Sequence, residues 1–488
     1  MANNNHVYIT TTLPYVNADP HAGFAMEVIR ADALARYHRL KGSEVFFNTG
    51  TDEHGAKIAE AAEKEGIETK KYTDRYAVRF RELRELLSLS VDNFIRTTDE
   101  QHVIAAQEFW KKCLANVNER GEPDIYKKIY KVKYCIGCEL EKTDSELTDG
   151  KCPLHPNREL EIREEENYFF RWSRYQKPLL EFYQTHPDFV IPNFRGNEVR
   201  AFVERGLEDF SISRLRSKMA WGVPVPGDDD HVMYVWFDAL VNYISAIGWP
   251  LDMGRFNAWW PAIQYCGKDN NRQQSAMWQG MLMSAKLPNS QHVIINGFIT
   301  SCGQKMSKSI GNVINPYDVI DAYKTATPFP EDVLRFTLLN DVPSFEDGDL
   351  TMDSIKASYT ANLQNGIGNL VSRTMKMATT HLDKPVHTPE PMQHTKIDDA
   401  IASFDLKRAL ECVMGAVREL DAYIQETEPF KVVKTDPEAG QALITEMVER
   451  LNSIALLLRP FIPRTAEEIL RLIRIHQMPE QPLFNRLP

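Results

Sequence analysis

The sequence predicts an α/β protein in which a parallel sheet is split by an inserted segment and followed by a bundle of helices. Three observations support this architecture. Short β-branched runs alternate with helical patterns in residues 1–113 and again in 227–315, which is typical of a parallel sheet. Residues 114–226 between them include a charged, aromatic stretch with paired cysteines. From residue 316 onward the apolar spacing is helical, which indicates a bundle.

The first strand and helix place candidate ligand-binding residues at one edge of the sheet. Residues 7–12 predict a strand, 22–40 a helix and 44–48 a second strand. This order is a βαβ unit of a Rossmann-like sheet, whose ligands bind at the carboxyl ends of the strands. His21 and Gly23 occupy the turn at that edge. The start of the helix would offer free N–H groups to phosphate, and His21 would donate to an oxyanion; a simple turn histidine is the alternative.

The inserted segment contains a pattern typical of structural zinc. Cys135-Ile136-Gly137-Cys138 is followed, after thirteen residues, by Cys152-Pro153-Leu154-His155. Two ligand pairs with two-residue spacers form a closed Cys3His tetrahedron, which leaves no position open for catalysis. Metal binding and folding are coupled at such sites. We therefore expect one structural Zn²⁺, bound by Cys135, Cys138, Cys152 and His155.

The parallel sheet is predicted to resume after the insertion, with strands at residues 232–236, 263–266 and 292–296. The second of these strands ends in the turn Gly267-Lys268-Asp269-Asn270. Because this turn lies at a strand end, Asp269 is a candidate for binding a pair of ribose hydroxyls. A surface turn without function is the alternative.

A basic loop follows the last of these strands, with the sequence Gly303-Gln304-Lys305-Met306-Ser307-Lys308-Ser309-Ile310-Gly311-Asn312. Lys305 and Lys308 flank a serine, and glycines at both ends allow unusual backbone geometry. Each lysine ammonium is a compact charge with three donors, so the loop could close over a polyphosphate. A solvated basic loop is the alternative for either lysine taken alone.

The last part of the chain predicts helices that could bind RNA. Asn369 and Arg373 lie four residues apart and share a helix face. Amide and guanidinium groups can bind base edges, and Phe430 could stack on an unpaired base. A solvated face and a core position are the respective alternatives. The predicted helices cover residues 354–377, 397–425 and 437–475.

Composition sets bounds on the class of protein. A chain of 488 residues suggests two to four domains, and a hydrophobic share of 43% is ample for their cores. The net charge of -11 argues against a globally basic nucleic-acid binder, although a local basic patch would suffice for RNA. No apolar run approaches the ~20 residues of a membrane span, and the first residues lack a secretory signal. Seven cysteines, an odd number, fit a reducing compartment, so a cytoplasmic protein is expected.

Taken together, these motifs resemble the class I aminoacyl-tRNA synthetases, and within that class the methionyl-tRNA synthetase family. Pro20-His21-Ala22-Gly23 is similar to the first signature element of the class, and Lys305-Met306-Ser307-Lys308-Ser309 to the second. The resemblance covers essentially the whole chain. The further motifs that carry it are Leu13-Pro14-Tyr15-Val16-Asn17, Gly50-Thr51-Asp52-Glu53-His54-Gly55, the Cys3His knuckle, Asp209-Phe210-Ser211-Ile212-Ser213-Arg214, Tyr234-Val235-Trp236-Phe237-Asp238-Ala239, Gly267-Lys268-Asp269 and Gly368-Asn369-Leu370-Val371-Ser372-Arg373.

The resemblance implies an enzyme that activates L-methionine with ATP and Mg²⁺ and then charges tRNA(Met). It implies that His21, Lys305 and Lys308 are catalytic, and that Asn369, Arg373 and Phe430 read the anticodon. The methionine site it implies, with Asp52 binding the ammonium group, consists of Leu13, Tyr15, Asp52, Trp236, Ala239, Leu240, Tyr243 and Gln274. The ATP site it implies consists of His21, Gly23, Glu27, Gly267, Asp269, Lys308 and Arg214.

Five positions depart from the family pattern. Phe24 replaces the last histidine of the first signature element, and Asn296 replaces a histidine near the basic loop. Asn270 and Gln274 are expected to make the rim of the side-chain pocket more polar than in relatives. Phe430 replaces a tryptophan of the anticodon reader but remains a stacking surface.

The resemblance also suggests a domain division and leaves two alternatives open. One alternative is a class I synthetase for another apolar amino acid, although residues 114–226 are too few for a knuckle plus an editing domain. The other is a noncatalytic RNA-binding relative. The chain ends soon after the helical part, so a monomer is expected. The predicted units are 1–113 and 227–315 (catalytic), 114–226 (insertion), 316–355 (stem contact) and 356–488 (anticodon binding).

Overall fold

The computed structural model describes residues 6–16, 19–135, 140–142, 147–153, 157, 159–306, 312–387 and 394–487. Cys138, His155 and Lys308 lie outside the described residues, as do the side chains of Cys135 and Lys305. The strands, numbered in chain order, are β1 (His6–Thr11), β2 (Glu44–Thr51), β3 (Asn93–Arg96), β4 (Ile125–Cys135), β5 (Leu140–Lys142), β6 (Glu161–Phe170), β7 (Val190–Ile191), β8 (Phe210–Ser211), β9 (Ser213–Leu215), β10 (Pro224–Val225), β11 (Asp228–Met233), β12 (Ile263–Gly267), β13 (His292–Asn296), β14 (Ile299–Ser301), β15 (Gln304–Lys305) and β16 (Gly348–Asp349).

The helices fill the intervals between these strands and make up the C-terminal part. In chain order they are α1 (Ala22–Leu40), α2 (Ala56–Lys64), α3 (Thr69–Leu86), α4 (Glu100–Ala115), α5 (Gln176–Thr185), α6 (Asn193–Glu204), α7 (Val235–Ala239), α8 (Asn242–Ser245), α9 (Met253–Trp259), α10 (Trp278–Ser284), α11 (Pro316–Tyr323), α12 (Pro330–Asn340), α13 (Met352–Ser358), α14 (Asn369–His381), α15 (Thr395–Ala402), α16 (Leu406–Thr427), α17 (Pro429–Thr435), α18 (Pro437–Leu458) and α19 (Pro463–Ile475). Short 3-10 segments cover Trp172–Tyr175 and Lys268–Asn270, and π-helical segments cover Gln273–Met277 and Tyr359–Gly368.

The main sheet has six strands in the order β3-β2-β1-β12-β13-β7, and every neighbouring pair is parallel. The predicted Rossmann-like parallel sheet is therefore confirmed, and α1 has the predicted bounds. The carboxyl ends of parallel strands meet at one edge of the sheet. The residues that follow β1, β2, β12 and β13 consequently come together there.

Alternate residues of the central strands face two different hydrophobic cores. Ile9, Phe47 and Ile294 pack on the side of α1 and the C-terminal helices. Tyr8 and Val293, their neighbours in sequence, pack on the opposite side with α4 and α7. This alternation follows from the two-residue period of a strand. Both faces of the sheet are covered, as expected for parallel strands. In the part of the chain that the structure describes, no helix combines the length and hydropathy that a membrane crossing requires.

The insertion is built on an antiparallel sheet in the order β5-β4-β6-β8. The long β4 and β6 strands pair from Ile125↔Phe170 to Tyr134↔Glu161. The segment 114–226 also supplies β7 to the main sheet, where it pairs with β13.

The strand predicted at residues 232–236 is confirmed only for residues 232–233, and its expected place in the main sheet is wrong. β11 ends at Met233 and belongs to a small antiparallel sheet with β9 and β10, and α7 begins at Val235. A short apolar run does not distinguish a buried strand from a buried helix by its periodicity. Asp238 in the first turn of α7 favours the helix, because an acidic group there complements the helix dipole.

The C-terminal part is a bundle of helices, as predicted, but its long helices are interrupted. The continuous helices expected at 397–425 and 437–475 are wrong, since α15 ends before α16 begins and α18 before α19. At the first break Phe404 has a positive φ of 59° and the Asp405 side chain caps α16 by accepting from the Arg408 N–H. At the second break Pro463 begins α19, the helix position that proline tolerates.

Candidate active site

The turn before α1 is organised by His21. Its side chain caps the helix, because Nδ1 accepts the Gly23 N–H at 3.1 Å. A Cβ atom at Gly23 would lie 2.9 Å from His21 Cε1, so a glycine makes room for the imidazole. With Nδ1 acting as acceptor, the exposed imidazole keeps Nε2–H as its donor.

The first amides of α1 are occupied within the protein. The Ala22 N–H donates to the carbonyl of Ile314 at 2.9 Å, and the Gly23 N–H is taken by His21. The expectation that the start of the helix offers free N–H groups to phosphate is therefore wrong for the amides of Ala22 and Gly23. A phosphate at this turn would meet the His21 imidazole instead.

The two ends of the basic loop lie at the same turn. Ile314 follows the loop and binds Ala22, and its N–H donates to the sulfur of Met306 at 3.4 Å. Met306 directly follows β15, whose last residue is Lys305. The backbone on both sides of the lysine loop is thus held next to the helix turn that carries His21.

Glu27 of α1 and Asp269 of the turn after β12 are two acidic residues close enough for their charges to interact. Glu27 is buried, and its Oε1 accepts the Thr12 N–H at 2.7 Å and the Thr12 hydroxyl. Burial raises the pKa of Glu27 to about 8, and the nearby charge of Asp269 adds to that effect. Asp269 is exposed, and a Cβ atom at Gly267 would lie 2.7 Å from its carboxylate. Thr12, Glu27 and Asp269 therefore supply polar groups next to the carboxyl ends of β1 and β12.

Asp52 is a buried carboxyl group at the end of β2. It pairs with Tyr15 in an isolated parallel bridge, and its N–H donates to the Pro14 carbonyl at 3.0 Å. Its Oδ1 has no hydrogen-bond partner among the described residues. Burial raises the pKa of Asp52 well above its usual range, and Asp238 raises it further. Because a buried carboxylate is costly unless it is paired, this position fits a cationic group of a ligand.

Asp238 and two histidines form a buried network behind Asp52 that the sequence did not reveal. His54 Nδ1 lies 3.2 Å from one oxygen of Asp238, and His102 Nε2 lies 3.9 Å from the other. Burial alone would raise the pKa of Asp238, but His54 and His102 outweigh it and hold that pKa below its usual range. The network keeps a negative charge close to Asp52. The sequence did contain a signal for this network, because His54 and Asp238 lie inside two of the motifs that resemble the family.

Tyr243 and Gln274 form the buried polar end of the predicted side-chain pocket. Gln274 Nε2 donates to the Tyr243 hydroxyl at 2.5 Å, and Gln264 Nε2 lies 3.5 Å from Gln274 Oε1. Gln274 lies on a π-helical segment, a feature common at functional sites. Because Gln274 is buried, its expected place on the pocket rim is wrong. Asn270 is half-buried.

The remaining predicted pocket residues approach the Asp52 turn. The Tyr15 hydroxyl and Val235 Cβ lie 3.6 Å and 3.8 Å from the position of a Cβ atom on Gly55. Val235 begins α7, which carries half-buried Trp236 and buried Ala239 and is followed by buried Leu240. Leu13, after β1, is half-buried.

Comparison with known proteins shows the family. Residues 7–159 and 144–375 match the family model of class I tRNA synthetases (M), and residues 391–482 match that of the anticodon binding domain of methionyl tRNA ligase. The methionine--tRNA ligase of Brucella suis is 39% identical over 96% of this chain and 92% of its own length. The chain belongs to the methionyl-tRNA synthetase family.

Other relatives and solved structures agree with this assignment. The methionine--tRNA ligase of Thermotoga maritima is 38% identical over 97% of this chain and 76% of its own length. Mycobacterium tuberculosis methionyl-tRNA synthetase in complex with methionyl-adenylate superposes with a TM-score of 0.85 at 36% identity, covering 98% of this chain and 95% of that one. Its apo form gives a TM-score of 0.78 at 32% identity.

Phe24 and Asn296, two departures from the methionyl-tRNA synthetase pattern, both have structural partners. Phe24 packs edge-on against Phe80 of α3 at 5.4 Å and lines a cavity of about 230 Å³. Asn296 Oδ1 accepts from the buried Arg30 guanidinium of α1 at 2.9 Å. Both side chains therefore hold α1 in place from within the fold.

Arg214 lies on β9, in the small antiparallel sheet with β10 and β11. Its guanidinium stacks over Tyr234 at 4.4 Å and donates to the Ser213 carbonyl at 2.7 Å. These contacts do not reach His21 or Asp269, so its role toward ATP in this synthetase stays a prediction.

The predicted anticodon residues lie on the surface of the helical bundle. Asn369, at the start of α14, is exposed, and Arg373 forms an ion pair with Asp421 of α16 at 2.5 Å. Phe430 is 40% exposed, which excludes the alternative of a core residue. The Lys431 ammonium lies 5.9 Å from its ring.

The described part of the predicted zinc knuckle contains two short antiparallel pairings. Cys135 ends β4 and pairs with Leu140 of β5, and a Thr148↔Lys151 bridge directly precedes buried Cys152. No cluster of three or more metal-binding side chains occurs within the described ranges. Because Cys138 and His155 fall outside those ranges, the ligand set of this family member stays a prediction.

Proposed function

We propose that this chain activates L-methionine with ATP to form methionyl-adenylate and pyrophosphate, and then transfers the methionyl group to tRNA(Met). The single observation that carries this proposal is the buried Asp52 carboxyl group without a hydrogen-bond partner at Oδ1. It follows β2 at the carboxyl edge of the sheet and pairs with Tyr15, one of the predicted methionine-binding residues. An amino acid bound there would present its carboxylate to a nucleotide at that edge.

Methionine would bind through its charge at one end and its thioether at the other. The substrate ammonium would pair with Asp52 and stabilise its charged form against the burial that raises its pKa in the free protein. Sulfur packs well against aromatic rings, so Tyr15, Trp236 and Tyr243 suit a flexible thioether. Leu13, Ala239, Leu240 and Gln274 would complete the enclosure.

ATP would bind along the sheet edge that carries His21 and Asp269. His21 Nε2–H would donate to a phosphate oxygen, Gly23 would make room for that imidazole, and Gly267 would line the nucleotide site beside Asp269. Asp269 would accept from the ribose hydroxyls. Mg²⁺ bound with ATP would neutralise part of the phosphate charge.

Adenylate formation would proceed by positioning and charge stabilisation. A carboxylate oxygen of methionine attacks the α-phosphorus, and the bond to the pyrophosphate oxygen breaks. Lys305 and Lys308 would stabilise the charge that develops on the departing pyrophosphate. No covalent bond to the protein is required, since holding both substrates in line supplies much of the acceleration.

The helical bundle would select the tRNA. Exposed Asn369 and half-buried Arg373 would bind anticodon base edges, and exposed Phe430 would stack on an unpaired base. Arg373 would exchange its partner Asp421 for a base, because an exposed ion pair contributes little.

We also propose one structural Zn²⁺ in the insertion, bound by Cys135, Cys138, Cys152 and His155. The donor set is chemically suited to a closed tetrahedral site that orders a small segment. One equivalent of zinc in the purified protein would agree with this proposal, and its absence from folded, active protein would contradict it. A cytoplasmic monomer remains the expectation for localisation and assembly.

The proposed function is tested by amino-acid-dependent ATP–pyrophosphate exchange. We expect exchange with methionine and little with leucine, isoleucine or valine. Asp52→Asn should lower kcat/KM for methionine at least about 30-fold, which corresponds to about 2 kcal/mol for a lost buried charge partner. Glu63→Gln, an exposed residue of α2, is the matched control and should behave as the wild type.

Two results would contradict the proposal. Better exchange with leucine or valine than with methionine would indicate another apolar amino acid as substrate. Absence of exchange with any amino acid, together with retained tRNA binding, would indicate a noncatalytic RNA-binding relative.

A further inference from the structure

Residues 342–349, a segment between α12 and α13, are anchored to α1 by the buried Arg30. Arg30 donates to the carbonyls of Pro343 and Ser344 at 2.7 Å and 2.9 Å. It also donates to the Val342 carbonyl at 3.3 Å. Because Arg30 is 2% exposed and lies three residues from Glu27, the start of this segment is fixed relative to the proposed ATP site.

The middle of the same segment holds the turn after β12. Asp347 forms a bidentate ion pair with Lys268, with Nζ–O distances of 2.7 Å and 2.8 Å. It also accepts the Phe298 N–H at 2.9 Å. The backbone passes close by, since a Cβ atom at Gly297 would lie 2.1 Å from the Glu346 carbonyl oxygen. Lys268 directly precedes Asp269, so this contact joins the segment to the proposed ribose-binding turn.

The end of the segment holds the hairpin that leads into the basic loop. Asp349 Oδ1 accepts both the Thr300 hydroxyl and the Gly303 N–H at 2.8 Å. β16, which contains Asp349, pairs in parallel with β14, and Thr300 of β14 pairs with Lys305 of β15. The hairpin turn is tight, with positive φ angles of 54° at Cys302 and 70° at Gly303.

We propose that Asp349 is a positioning residue for adenylate formation, because it fixes the hairpin that ends in Lys305 relative to the sheet edge that carries Asp269. This inference rests on the proposed function and adds a residue outside the predicted site. The carboxylate acts through the backbone of Gly303 and the hydroxyl of Thr300. A displacement of about 1 Å in such a support can lower a rate by about 100-fold.

The test compares Asp349→Ala with Asp349→Asn in the full chain. Asparagine keeps a side-chain oxygen that can accept both hydrogen bonds, whereas alanine removes the acceptor. We expect Asp349→Ala to lower the rate of methionine-dependent ATP–pyrophosphate exchange about 10- to 100-fold. The KM for methionine should change less than about twofold, and Asp349→Asn should stay within about threefold of the wild type. Thr300→Val, which removes one of the two donors, should lie between them.

The controls separate positioning from loss of fold. Asp349 is exposed, so its replacement leaves the hydrophobic core intact. Asp353→Ala, at an exposed position four residues later on α13, should leave exchange unchanged. Amide hydrogen exchange of residues 299–305 should rise in Asp349→Ala and remain low in Asp349→Asn, whatever the activity of the protein.

Several outcomes would overturn the inference. These are a wild-type exchange rate in Asp349→Ala, an equal loss in Asp349→Asn, or unchanged amide protection of the hairpin. An inactive wild type would contradict the proposed function instead. The amide protection measurement would still decide whether Asp349 holds the hairpin.

Discussion

Glu27 is a buried carboxyl group whose charge the surrounding protein only partly stabilises. Thr12 donates two hydrogen bonds to it, but burial and the nearby Asp269 raise its pKa to about 8. The folded protein therefore holds Glu27 mainly protonated at neutral pH. In the unfolded chain the same group ionises near its ordinary value of 4.5.

This difference predicts a pH-dependent stability. Between about pH 4.5 and 8 the folded state binds one more proton than the unfolded state, so the free energy of unfolding should fall as the pH rises. One group contributes a slope of at most about 1.4 kcal/mol per pH unit. Glu27→Gln mimics the neutral acid and should remove this part of the slope. Chemical denaturation between pH 5 and 8 measures it, and an unchanged slope in the variant would contradict the assignment.

The active-site residues could be predicted from the sequence to different extents. His21 and Asp52 lie in short contiguous motifs that can be recognised from the sequence alone. The ion-pair distances from Asp238 to His54 and His102 depend on the packing of three separate elements. Burial of Gln274 likewise depends on a π-helical segment that no local pattern indicated.

At the scale of elements, those whose ends are marked by turn residues were predicted well, whereas breaks inside a long helical pattern were not. α1 and β13 have the predicted bounds, because turn residues mark their ends. The breaks before α16 and α19 interrupt an apolar pattern that continues across them. Only tertiary contacts decide where such a pattern bends, so sequence reasoning extended the helices too far.

The exposed face of α14 leads to a prediction for tRNA recognition. Arg373→Ala removes the ion pair with Asp421, which is worth at most about 1 kcal/mol of stability at the surface. It should weaken tRNA(Met) charging about 5- to 100-fold, the range for a lost bidentate contact to a base. Methionine-dependent ATP–pyrophosphate exchange should be unchanged. Lys376→Ala, one turn away on the exposed side, is the control. Equal charging by Arg373→Ala and the wild type would show that this face does not bind the anticodon.

At the scale of the whole molecule, α1 connects the nucleotide edge with the helical bundle. Its first turn carries His21, and its middle carries Asp32, which pairs with the fully buried Arg335 of α12 at 2.8 Å. Its last turns contact the bundle, because the Tyr37 hydroxyl donates to Asp398 and Lys41 pairs with the same carboxylate at 2.8 Å. A single helix therefore connects the turn that carries His21 with the helical bundle.

The contacts of Arg335 lead to a prediction about how strongly the sheet and the helical bundle stabilise each other. Besides Asp32, its guanidinium binds the carbonyls of Leu87, Pro460 and Phe461 at 3.2, 3.1 and 2.8 Å, which joins the end of α3 to the turn before α19. Arg335→Ala leaves a buried charge and three carbonyls without this partner, and should cost about 3–5 kcal/mol. Because the lost contacts lie between the sheet and the bundle, thermal unfolding should separate into two transitions. Calorimetry measures both effects, with exposed Arg464→Ala as the control. A single transition at the wild-type temperature would show that the apolar core alone couples the two parts.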